Sequence, residues 1–315
     1  KPQPSPEALL AARAAEGCGF LLATLPAPSL IRRLVPGEHL SRRLGLWGAY
    51  MPSGTALALL VGPWVMAAGR WSLWWWALAL WTAAMALWVA RRVPPDPRGH
   101  PQGPTVAPGG WALRLRHTLG SRGPWLVALA FAVYSSQWLA VIGFLPSIYA
   151  QAGLAGSAAG ALTALASAAN IVGNVGAGRL LWRGWPAPRL LGIGYVTMAL
   201  GALVAFGLPL GEGPVGALLR YAAVLAFSAV GGLIPGALFS LAVKLAPGEQ
   251  TVSTTVGWVQ QCSSLGQFAG PPLVAWVAAA VGGWHWTWAV TGSCSLLGLL
   301  LAGAIAAQLR RRPLG

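Results

Sequence analysis

An all-α polytopic membrane protein is the fold class this sequence predicts, and three observations predict it. Apolar side chains make up 56% of the 315 residues and charged ones only 9%, against about 25% charged in a typical soluble domain. The apolar residues gather into runs long enough to cross a bilayer as helices, and no strand-like alternation of the outer-membrane type interrupts them. The basic residues collect at the ends of those runs and mostly on one side.

Nine apolar segments follow from the hydropathy pattern, at 9–31, 45–68, 71–90, 125–149, 157–181, 189–209, 214–243, 251–280 and 286–307. The first lies between a proline-rich stub and Arg32-Arg33, and carries Arg13 and Glu16 inside it. The second runs from Arg42-Arg43 to a Gly-Arg turn and contains Gly62-Pro63. The third opens on Trp71, Trp74, Trp75 and Trp76, rings suited to the headgroup layer, and closes on Arg91-Arg92. A stretch rich in proline and arginine, 91–124, then reads as a polar linker between two sets of helices. The fourth segment ends in Phe144-Leu145-Pro146-Ser147-Ile148-Tyr149, and the fifth is built of small residues. The sixth is featureless. The seventh carries Arg220 near its start, where it either attracts an anionic solute or snorkels to the headgroups. The eighth contains Gly270-Pro271, and the ninth opens on Trp284, Trp286 and Trp288 and closes on Arg310, Arg311 and Arg312.

A net charge of +15 could suggest nucleic acid, but its distribution follows topology. With nine spans, every Lys and Arg except Lys1, Arg13, Arg70 and Arg220 falls on one face. The positive-inside rule makes that face cytoplasmic, with the linker and the C-terminus. Cell (inner) membrane residence is expected, and no nucleic-acid partner. Cys18, Cys262 and Cys294 stand in separate apolar runs as small packing residues, without CxxC spacing or histidine partners.

An internal repeat organises the nine segments. Leu34-Val35-Pro36-Gly37-Glu38 follows the first, and Leu245-Ala246-Pro247-Gly248-Glu249 follows the seventh. In both copies the next segment holds Gly-Pro, a Trp-rich turn follows, and the last helix closes on arginines. The unit is six helices, so residues 1–90 read as the last three helices of an N-terminal bundle and 125–315 as a complete C-terminal six-helix bundle. Three further helices are expected upstream of Lys1.

Arg13-Ala-Ala-Glu16-Gly17-Cys18-Gly19 resembles the RxxQGxG motif of the fourth helix of the major facilitator superfamily, with Glu for Gln. Gly173-Asn174-Val175-Gly176-Ala177-Gly178-Arg179, followed by Arg183-Gly184, resembles that family's glycine- and arginine-rich signature in its second-half copy. The signature's aspartate is missing here, which weakens a charge-relay gate. Gly266 and Gly270-Pro271 resemble part of the drug-antiporter motif. The fifth-helix position itself has Trp64, Val65, Met66 and Ala67 after Gly62-Pro63, which argues against an antiporter. The 144–149 stretch is similar to the cyanate and nitroimidazole permease subgroup. The resemblance implies nine of the twelve helices of a secondary transporter that moves a small solute by alternating access, as a monomer and without a cofactor.

Two polar stripes are the candidate solute site. Thr163, Ser167, Asn170 and Asn174 share one face of the fifth segment, and Ser253, Gly257, Gln260, Ser264 and Gln267 share one face of the eighth. Tyr134 and Gln137 join them from the fourth segment, and Tyr50 and Ser53 from the second. Lipid offers amides no hydrogen bonds, so these faces turn inward, either to line a cavity or to glue helices together. The stripes of the fifth and eighth segments are expected to face each other, water or a ligand across one cavity. Arg13 and Glu16, three residues apart, form an intramembrane pair that serves either coupling or structure. Arg179 and Arg183 belong with them as gating candidates, and any proton coupling uses Arg13–Glu16 or the helices upstream. No phosphate-binding loop, nucleophile motif or acidic cluster points to an enzyme, and His39, His100, His117 and His285 are scattered. The alternatives to transport are an intramembrane enzyme, which a lone Glu16 does not support, and a receptor or scaffold on a transporter fold.

Overall fold

The computed structural model describes residues 5–69, 71–94, 110–154, 156–211 and 213–311. The central part of the linker, Arg98 and His100 included, lies outside the described residues, as do Lys1, Arg70 and Arg312. Among the described residues, nine helical stretches are long and apolar enough to cross a membrane. Their positions match the nine segments, with one informative shift. The second stretch, Gly37–Val65, starts about two turns before the apolar run, because the helix continues through Arg42 and Arg43.

The first stretch is α1 (Pro6–Thr24) followed by α2 (Ala27–Leu34), broken at Pro26. The second is α3 (Leu40–Gly48) and α4 (Tyr50–Ala67). The third is α5 (Trp71–Arg92), which packs on α4 and is otherwise exposed. Within the linker a short helix, α6 (Gly110–Leu119), was not legible as an apolar run; its basic residues Arg114, Arg116 and His117 lie in its middle and last turn. The indole of Trp125 ties it to the next helix by donating to the Leu119 carbonyl at 2.8 Å.

The remaining spans are α7 (Arg122–Gln151), α8 (Gly156–Trp182), and α9 (Ala187–Ala202) with a π-turn at Leu203–Gly207. Then come α10 (Pro214–Gly231) with α11 (Leu233–Leu245), α12 (Val252–Val281) and α13 (Thr287–Arg311). These six spans form one bundle, whose core includes Leu190, Leu191, Tyr195, Met198, Phe227, Ile234 and Ile305. The Tyr195 hydroxyl donates to the Ala130 carbonyl at 2.6 Å, so this buried phenol is satisfied. Large apolar side chains such as Trp64, Trp81, Val172, Phe268 and Leu300 are exposed, as befits surfaces whose solvent is lipid.

The second and seventh spans are also broken, in mid-course, and each break lies next to a proline. Proline lacks the N–H that a helix needs four residues on from a carbonyl. Pro52 lies just after the α3–α4 junction at Ala49, and Pro235 just after the α10–α11 junction at Gly232. Both broken helices cross α8 at the same level. A Cβ on Gly48 would stand 2.7 Å from Asn174 Oδ1, and one on Gly236 would stand 2.9 Å from the Asn174 carbonyl oxygen. Gly232 lies against the Asn170 carbonyl.

Candidate functional site

The stripe of α8 is buried along its length. Thr163, Ser167, Asn170 and Asn174 are at most 1% exposed. Thr163 donates to its own helix, to the Ala159 carbonyl at 2.7 Å. Ser167 reaches across to the first-half helices and donates to the Pro52 carbonyl at 3.2 Å. Asn170 is the hub: its Nδ2 donates to Tyr134 Oη at 2.9 Å and to the Ser228 carbonyl at 2.7 Å. Asn174 Nδ2 donates to Asn170 Oδ1 at 2.9 Å, while Asn174 Oδ1 is buried without a partner among the described residues. Trp138 closes the group, its indole donating to Ser228 Oγ at 3.1 Å.

Tyr134, Trp138, Asn170 and Asn174 border a pocket of about 40 Å³ at the seam between the two halves, whereas Thr163, Ser167 and Ser228 do not line it. Gly48, Met51 and Pro52 wall it from the first half, Phe131, Tyr134, Pro235 and Phe239 from the second, and Gln267 sits at its edge. A space of that size holds water or one small polar group.

A second, wider cleft of about 330 Å³ adjoins it and shares Met51, Ser263 and Gln267. Here lie Arg13, Glu16, Phe20, Gln260, Ser264 and Gln267. Its volume falls in the range of about 300–1,000 Å³ usual for small-molecule sites. Arg13 Nη1 donates to Glu16 Oε2 at 2.6 Å, with both side chains more than half exposed, and its guanidinium lies over the Trp75 ring. Gln260 Nε2 donates to Tyr50 Oη at 3.0 Å, so a first-half phenol that lines the seam pocket meets a second-half amide that lines the cleft. Gln267 Nε2 donates to Ser263 Oγ at 3.1 Å.

Sequence reasoning therefore grouped the residues differently from the fold. The two stripes meet only in part: Asn170 and Asn174 share the seam pocket with Gln267 of the other stripe. The α8 stripe packs into the seam, while Gln260, Ser264 and Gln267 of α12 face the cleft beside Arg13 and Glu16. Gln137 turns away from both: its Oε1 accepts from Ser295 Oγ of α13 at 3.0 Å, and it is 1% exposed. It lies a turn beyond Tyr134, but on the side where α7 meets α13 and not the seam. Arg179 stands at the basic end of α8 beside His39, Arg42 and Arg43, apart from the cleft, and Arg183 is exposed one turn further on. Arg220, left open between solute attraction and snorkelling, donates to the Gly211 carbonyl at 2.8 Å.

A row of aromatic rings was missed. Phe20, Tyr50, Trp47, Phe239, Phe131 and Tyr134 run in sequence from α1 to α7, with neighbouring centroids 4.5 to 6.1 Å apart. The available signal was position: these rings stand in mid-span, away from the headgroup levels where the tryptophan clusters collect.

At the basic end the halves are shut against each other. Arg32, in the last turn of α2, pairs with Glu249 of the second repeat copy. Leu25 fills the space over Gly257, and a Cβ on Gly45 would stand 2.8 Å from the Cα of Gly178.

A helical bundle with broken spans, closed at one end and holding a polar cleft at the seam of two halves, defines a class, that of membrane transport proteins. The profile of the Major Facilitator Superfamily matches residues 2–256. The chain belongs to the major facilitator superfamily, whose members carry small solutes across membranes. None of the curated proteins compared with the chain matches it.

Proposed function

We propose that the protein is a secondary active transporter that admits a small, hydrogen-bonding solute into the Arg13–Glu16–Gln267 cleft and passes it by alternating access. The observation that carries this reading is the Gln260–Tyr50 hydrogen bond, made between a residue of the cleft and one of the adjoining seam pocket, on different halves of the chain. A group that joins the halves in one state and must part in the other is where a solute can couple to the motion. Arg13 and Glu16 are the charges lining the cleft, and they cancel. Recognition then rests on Gln260, Ser264 and Gln267, with Tyr134, Asn170 and Asn174 behind them. Glu16 is the candidate for proton coupling, and Arg179 and Arg183 move with the basic-end seam as it opens.

The similarity of 144–149 to the cyanate and nitroimidazole permeases makes small polar solutes of those kinds the first to test. The full-length protein in sealed vesicles should accumulate at least one of them, and Gln260→Leu should abolish the uptake at normal protein levels. Uptake by Gln260→Leu equal to the parent would remove this site from the pathway. The one-sided distribution of Lys and Arg supports a cytoplasmic basic end in a cell (inner) membrane protein. Cysteine at Ala112 should then label only from the cytoplasm and cysteine at Ala152 only from outside. Labelling of both from one side would refute that orientation.

A further inference from the structure

We propose that the arginine-lined recess where α3 meets α8 binds the headgroup of an anionic phospholipid. The recess has a volume of about 250 Å³ and is lined by His39, Arg42, Arg43, Leu46, Val175 and Arg179. It exists because the two helices touch through glycine. A Cβ on Gly178 would meet the Ser41 carbonyl oxygen at 2.6 Å and the Arg42 Cα at 3.1 Å. Cations from both halves of the molecule are thereby brought to one spot.

Among the described residues, no carboxylate forms an ion pair with Arg42, Arg43 or Arg179, whereas Arg13–Glu16, Arg32–Glu249 and His39–Glu38 do pair. The last of these, at 3.5 Å, brings the nearest acid to the edge of the group. Arg42 lies over the Trp182 ring at 5.0 Å, a contact that orients the guanidinium without neutralising it. Like charges held together at a membrane surface repel, and a phosphodiester supplies the anionic oxygens that planar guanidinium groups chelate.

The surroundings select a lipid over a free anion. Directly below the arginines, on the span itself, Leu46 is 56% exposed and Val172 69%. This apolar strip continues the charged recess, as acyl chains continue a headgroup. Trp182, 47% exposed, stands at the boundary where indoles favour the headgroup layer. Basic recesses between spans on the positively charged side of a membrane are suited to such headgroups. Because Arg42 and Arg43 belong to one half and Arg179 to the other, one bound headgroup would hold the basic-end seam shut.

Native mass spectrometry of the full-length protein with equal phosphatidylglycerol and phosphatidylcholine should show selective retention of phosphatidylglycerol. Each arginine neutralised in Arg43→Gln and Arg179→Gln should cost roughly fivefold of that selectivity, whereas Arg116→Gln in α6 should leave it unchanged. Equal retention of the two lipids by the parent protein would overturn the proposal, whatever the variants do. So would an equal loss in Arg116→Gln, which would mean diffuse attraction to a basic surface. Displacement of the bound lipid by inorganic phosphate would assign the recess to a free anion and overturn it as well.

Discussion

Asn170 shows how one amide can hold a membrane bundle together. It bonds Tyr134, the Ser228 carbonyl and Asn174, which lie on α7, α10 and its own helix. Asn170→Ala should leave the Tyr134 hydroxyl and the Ser228 carbonyl without their partner in a buried site, at about 1–3 kcal/mol for each buried group orphaned. Thermal unfolding of the purified variant should show the loss, and an unchanged midpoint would mean the neighbours re-pair. Glu16 offers the opposite case. Its pair with Arg13 is more than half exposed, so Glu16→Gln should alter stability by less than about 1 kcal/mol. If Glu16 carries the coupling proton, the pH dependence of uptake should flatten in the same variant; an unaltered pH profile would assign the pair to structure alone.

At the level of elements, glycine decides which helices meet. Gly45 and Gly178 allow α3 and α8 to touch, with the Asn174 carbonyl oxygen 2.7 Å from where a Gly45 Cβ would stand. Backbone cannot yield as a side-chain tip can, so Gly45→Leu should pry the seam apart. A cysteine pair at Leu46 and Val175, which line one recess across the same two helices, should be joined by a short bifunctional thiol reagent in the parent background and not alongside Gly45→Leu. Gly54 on α4 has nothing within 4 Å of its missing Cβ. Gly54→Ala should therefore be silent, or stabilise α4 by up to about 1 kcal/mol through helix propensity. Loss of cross-linking in both variants would refute the distinction.

For the whole molecule, the sign of one contact should govern which state is populated. Arg32, in the last turn of α2, and Glu249, which opens the short turn before α12, pair across the closed end. Glu249 is 85% exposed and Arg32 about one-third, so the pair is worth no more than about 1 kcal/mol. That still shifts a two-state equilibrium about fivefold. Arg32→Glu should raise the reactivity of a cysteine at Leu25 toward a soluble thiol reagent by up to that factor, and Arg32→Glu with Glu249→Arg should restore protection. Equal reactivity in all three proteins would show that the glycine seam alone holds the end shut.

Class, span number and the inward turn of the α8 stripe were legible in the chain because each depends on local quantities. Run length sets what can cross a bilayer, and unpaired amides such as Asn170 and Asn174 cannot face lipid, whatever the fold. The two mid-span breaks were not legible: Pro52 and Pro235 lie next to them, but Pro63, Pro146 and Pro271-Pro272 sit inside continuous helices. The short α6 escaped because ten residues with basic side chains leave no apolar run to detect. The site was less legible, since a stripe fixes a face but not what the face meets. Only the tertiary structure turned Gln137 toward Ser295, placed Gln260, Ser264 and Gln267 beside Arg13 and Glu16, and threaded Phe20, Trp47 and Phe239 into one row of rings. The rotation of each helix about its axis is settled by close contacts such as Gly45 on Gly178 and Gly48 on Asn174. Those partners lie more than a hundred residues apart, where no periodicity along the chain can register them.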